Sequence, residues 1–107
     1  MKSFLACALI IFLITIHVDQ VFAEEFESYM QEWDTKRDLA TQYLIDAEKA
    51  LKEGDEISGC ISQRKAGEYG IEATESLLKA MEMNGSTEGL QNIKSGLNKW
   101  RELRDFC

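Results

Sequence analysis

Apolar side chains recur at spacings of three and four from Phe26 to Leu103, and no proline interrupts the chain. Proline costs about 3 kcal/mol inside a helix, so its absence leaves long helices open to this backbone. Ala, Leu, Glu and Lys are abundant and β-branched residues sparse, which is helical composition. The periodicity predicts three helices.

The first helix carries Phe26, Tyr29, Met30, Trp33, Leu44 and Leu51 on one stripe, together with Ala40, Tyr43, Ala47 and Ala50. Glu24, Glu25 and Glu27 at its start, and Lys49 and Lys52 at its end, suit the helix dipole. Gly54 fits the position just past the helix, and Asp55 can cap the second one. That second stripe holds Ile57, Cys60, Ile61, Ile71, Thr74, Leu78 and Met81. Gly67 and Gly70 fall inside it, each costing about 1 kcal/mol relative to alanine. They are expected to kink the helix, to split it, or to admit a close neighbour. Asn84-Gly85 marks a turn, and Ser86 or Thr87 is expected to cap a third helix bearing Leu90, Ile93, Leu97, Trp100 and Leu103. Tight connections between three amphipathic helices predict an all-α, up-down-up three-helix bundle.

Residues 1–23 have a different character. Lys2 precedes an apolar run from Phe4 to Ile16, and a polar stretch then ends in Val21-Phe22-Ala23. This is the three-part pattern of a secretory signal peptide cleaved after Ala23. The apolar run is shorter than the roughly 17–25 residues a spanning helix needs, and no second such run follows. The expected mature chain is a single domain, Glu24–Cys107, without a membrane span. Cleavage removes Cys7 and the only histidine, His17, and leaves the formal net charge at −7.

Two cysteines, Cys60 and Cys107, then remain in a chain bound for an oxidising compartment, which predicts one internal disulfide. Helix geometry agrees. At about 1.5 Å per residue, Cys60 lies roughly 36 Å and Cys107 roughly 32 Å above the Asn84-Gly85 turn. A bridge between them closes a loop whose entropy is worth roughly 4 kcal/mol. That matters in a small domain with a thin core.

Several activities are excluded on chemistry. Without histidine or a free thiol there is no Ser/His/Asp or Cys/His catalysis and no Cys/His zinc site. "EGDE" at 53–56 is too short for a calcium loop, and no glycine-rich phosphate loop appears. No cofactor, metal or catalytic residue is expected, and the chain reads as a non-enzyme. A charge of −7 argues against nucleic acid and anionic membranes. The dibasic pairs Lys36-Arg37 and Arg64-Lys65 fall within predicted helices and read as surface charge. "YLIDAEKAL" at 43–51 resembles "YGIEATESL" at 69–77, an offset that fits no common helical repeat. Trp33, Tyr43 and Trp100 read as core, or as the lining of an apolar pocket. Asn84-Gly85-Ser86 is an N-glycosylation sequon in a predicted exposed turn.

In outline the chain is similar to small helical proteins of secretory fluids, a likeness of format that carries no residue roles. The expected function is non-enzymatic interaction or signalling with an extracellular protein partner by a secreted monomer. A carrier of a small apolar ligand is the second reading, and a processed peptide precursor the third. Intact-mass spectrometry of secreted material checks the covalent expectations together. The chain should begin at Glu24, gain two hydrogens on reduction, and carry any excess mass as glycan on Asn84.

Overall fold

The computed structural model describes residues 2–107, and their side chains from Val21 onward. The signal-peptide features at Lys2 to Gln20, with Cys7 and His17, lie outside the described side chains. Three helices follow one another: α1 (Lys2–Lys52), α2 (Glu56–Met83) and α3 (Leu90–Asp105). Among the described residues there is no strand, and no helix is long and apolar enough to cross a membrane. The architecture is the expected up-down-up arrangement. Because α1 extends upstream of Glu24, the acids at 24, 25 and 27 sit within it rather than in its first turn.

The two helix ends that face a reversal are built alike. After α1, Gly54 takes φ +82°. Its N–H donates to the Leu51 carbonyl, and the Asp55 N–H donates to Ala50. After α2, Gly85 takes φ +66°, its N–H donates to Glu82, and the Ser86 N–H donates to Met81. Both are Schellman closures, in which a left-handed residue lets two amides reach back to orphan carbonyls. Only glycine adopts that conformation without steric cost. Asp55 caps α2, its Oδ1 accepting the Ser58 N–H at 3.1 Å. The expectation for α3 needs correction. It begins at Leu90, with Gly89 at φ +77° as its N-cap and no side-chain cap bond. The left-handed glycine breaks the helical path, so the hydroxyls of Ser86 and Thr87 sit too far upstream to cap it.

α2 is the central helix. Both α1 and α3 pack on it, and among the described residues no Cα of α1 comes within 8 Å of one in α3. The α2 contact faces are made of small side chains. Ala66, Gly67, Gly70, Ala73 and Ala80 are buried, as are Ala40 and Ala47 on α1. Ile71 and Leu97 are the largest buried residues, and no large side chain is completely enclosed among those described. Small residues let helix backbones approach closely, so the core is thin and tight. Ile57 and Ile61, assigned to the α2 stripe by periodicity, are instead 78% and 54% exposed. The stripe there belongs to the smaller residues Gly59, Ala66 and Gly70, which a count of large apolar residues passes over.

Gly67 and Gly70 neither kink nor split α2, which runs unbroken from Glu56 to Met83. They are the seat of α3. A Cβ on Gly70 would stand 2.1 Å from the Trp100 ring, and one on Gly67 would stand 2.8 Å from the Arg104 backbone. The propensity lost at these glycines is offset by that close approach. Thr74 tolerates burial there because its hydroxyl donates to the Gly70 carbonyl at 2.7 Å. Cys60 and Cys107 are disulfide-bonded, with Cα atoms 5.7 Å apart. The α3 end is held further by Gln63 Nε2, which donates to the Leu103 carbonyl at 3.2 Å, and by Arg64, which donates to the Cys107 carbonyl at 3.5 Å. The Gln63 bond satisfies a carbonyl that the helix end leaves without a partner, and the Arg64 bond holds the backbone two residues past it.

Two glycine substitutions should move stability in opposite directions. Gly70→Ala collides with Trp100 and is expected to cost about 1–3 kcal/mol. Gly96→Ala meets nothing within 4 Å and should gain up to about 1 kcal/mol of helix propensity. Urea titration of the two variants checks both signs. Cys107→Ser should lower Tm by more than about 10 °C through loss of the loop constraint. An unchanged Tm would remove the clasp from this account.

Candidate functional site

Formal charge is distributed unevenly along the bundle. Cross-helix pairs fix the level of each residue: Tyr43 lies beside Tyr69, and Trp100 beside Gly70. The end containing the Asn84 turn, residues 24–35 and 77–93, holds 7 acidic side chains and 1 basic one, net −6. The remainder, which contains the disulfide, residues 36–76 and 94–107, holds 11 acidic and 10 basic side chains, net −1. The large exposed apolar residues Leu39, Ile45, Leu51, Ile57, Ile61 and Phe106 all belong to this nearly neutral part, and Val21 and Phe22 precede both.

An apolar groove opens in the same nearly neutral part. Leu44 on α1 forms one wall, and Gly96, Lys99, Trp100 and Leu103 on α3 form the other. It has a volume of about 480 Å³. It exists because α1 and α3 both pack on α2 without closing on each other. Gly96 leaves the α3 wall low, with nothing within 4 Å of an added Cβ. Lys99 lines the groove without an ion-pair partner among the described contacts. Trp100 is held from behind by Gly70, so the indole is a rigid, half-buried part of the groove. Rigid aromatic side chains presented this way are characteristic anchors of protein interfaces.

The three aromatics singled out by sequence are not brought together. Trp33 is covered by the Arg37 guanidinium, 4.5 Å from its ring centroid. Tyr43 stacks on Tyr69, with centroids 5.6 Å apart and rings within 6° of parallel. The two segments that look alike in sequence therefore meet through their tyrosines. Lys36 lies 5.5 Å over Tyr69, and Lys65 lies 5.5 Å over Tyr43. Lys36 also pairs with Glu72 at 2.7 Å, and that hydrogen bond raises the ammonium pKa above its usual value. Trp100 alone of the three lines the apolar groove.

Each dibasic pair is engaged inside a helix. Arg37 pairs with Asp34, and Arg64 and Lys65 reach Cys107 and Tyr43. Asn84 is exposed at the opposite, acidic end of the molecule. Among the described residues no three His, Cys, Asp or Glu side chains gather as metal ligands. Compared with known protein families, characterised proteins and solved structures, the chain matches none.

Two carboxylates toward the disulfide end are held below the usual aspartate range. At Asp55 the cause is the Ser58 backbone amide, followed by the Ser58 hydroxyl. At Asp105 it is chiefly the hydrogen bond from the Arg104 guanidinium, at 2.8 Å. A depressed folded pKa contributes stability above the unfolded value, about 3.9 for aspartate. That contribution is lost as pH falls through the folded pKa. Stability should therefore decline below about pH 4, and less steeply in Asp55→Asn, which caps without titrating. Denaturant titrations at pH 5, 4 and 3 test this.

Proposed function

We propose that the chain is a small, acidic, secreted protein without enzymatic activity, which acts by binding an extracellular protein partner through its disulfide end. The observation that carries this reading is the groove of Leu44, Gly96, Trp100 and Leu103 in the part of net charge −1. A site of this kind combines apolar contact, a rigid indole and the Lys99 ammonium at the rim, a composition suited to recognition. The long-range repulsion that the acidic Asn84 end would impose on an acidic partner is weakest there.

Secretion is supported by the signal pattern at 1–23 and by the Cys60–Cys107 disulfide, a bond favoured by oxidising compartments. The Asn84 sequon completes the reading. A glycan there stands on the acidic end and leaves the groove clear. The apolar lining also keeps a second reading in play, the carriage of a small apolar ligand.

Affinity capture from the fluid that contains the protein tests both readings. Immobilised wild-type chain should retain a partner. Leu44→Ser and Lys99→Glu should each weaken retention by about tenfold or more, while Glu82→Gln at the acidic end should leave it unchanged. Equal retention by all variants would move the site elsewhere. Saturable binding of a fluorescent lipid probe, abolished by Leu44→Ser, would favour the carrier.

A further inference from the structure

The groove has one permanent wall and one that depends on a single covalent bond. The permanent wall is α1, joined to α2 along a seam of Ala40, Ala47, Ala66, Ala73 and Ala80. The Tyr43–Tyr69 stack and the Lys36–Glu72 ion pair bind the same seam. The other wall, α3, is weakly founded. It is 16 residues long, near the length below which isolated helices are marginal in water. It starts without a side-chain cap, contains Gly96 in its interior, and buries one side chain, Leu97. It has no backbone contact with α1. Its remaining hold is the seat on Gly67 and Gly70, a side-chain hydrogen bond to the Leu103 carbonyl, a second to the Cys107 backbone, and the disulfide.

We propose that the Cys60–Cys107 disulfide is a redox latch on the binding groove: its reduction releases α3 as a unit, leaves the α1–α2 hairpin folded, and dismantles the site. The inference rests on the reading of the groove as the binding site. Release follows the order of local stabilities, because the element with least burial opens first. The reaction needs a dithiol reductant. One thiolate attacks Cys107 Sγ, which belongs to the exposed partner, while Cys60 is half-buried. The sulfur–sulfur bond breaks and Cys60 leaves as thiolate, then takes a proton. The second thiolate of the reductant attacks the mixed disulfide and frees Cys107, which is protonated in turn. Two electrons pass from the dithiol, which ends as a disulfide. Lys99, Trp100 and Leu103 then leave Leu44, and the groove loses one side.

Hydrogen exchange read by mass spectrometry on the secreted, disulfide-bonded protein tests the latch, with and without dithiothreitol. Amides of 93–105 should exchange at least about tenfold faster after reduction, while those of 40–50 and 66–80 keep their protection. Cys107→Ser should reproduce the reduced pattern without reductant. In Trp33→Phe, where Trp100 is the only indole, emission should shift to the red on reduction. Equal acceleration in all three helices would overturn the proposal, since the bond would then hold the whole fold. Unchanged protection in α3 would overturn it too. Release of α3 with undiminished partner capture would support the latch and remove the groove from the functional reading.

Discussion

The contact on which the disulfide and the groove both depend is the seat of Trp100 and Arg104 on Gly70 and Gly67 of α2. The absence of two β-carbons lets α3 approach α2 to backbone distance. That approach sets the height and azimuth of α3, and so delivers Cys107 to Cys60 with Cα atoms 5.7 Å apart. It also turns the Trp100 indole so that one side rests on α2 and the other faces outward. The helix spends its affinity on α2 and has none left for α1, so the groove is a by-product of the same packing. A three-helix bundle with large apolar residues on every face would have closed that space.

Much of this was legible in the sequence because helices obey simple arithmetic. The rise per residue, applied on either side of the Asn84-Gly85 turn, sufficed to bring Cys60 and Cys107 level. Gly54 and Gly85 could be placed because a left-handed closure leaves few other choices. Asp55 announced its cap. Other features were illegible for definite reasons. Ile57 and Ile61 follow helical spacing yet face solvent, because spacing reports which residues share a face and says nothing about which face is covered. Gly67 and Gly70 offered kink, split or close approach. The choice depended on Trp100 and Arg104, which stand thirty or more residues further along the chain.

The groove itself had no signature. Leu44, Trp100 and Leu103 each read as ordinary core positions. Their exposure arises from how two helices share a third, a relation between faces that a single periodicity does not contain. The Tyr43–Tyr69 stack gave a fainter signal. Two nine-residue segments resembled each other, and what joins them in space is a pair of aligned rings flanked by Lys36 and Lys65. Charge partition was likewise hidden. Along the sequence it appears as an acidic body and a mildly basic final helix. In the folded chain the same charges sort by end.

That sorting makes the molecule an electric dipole, with its long axis as the dipole axis. In the field of a charged surface such a body experiences a torque before it touches anything. Near an anionic surface the net −6 end swings away and the disulfide end leads. Near a cationic one the order reverses, and the Asn84 turn arrives first. At physiological ionic strength the field reaches only about 8 Å, so the reorientation belongs to the last moments of an encounter. The bundle thus biases the direction from which it is met, even though only one of its ends carries an apolar groove.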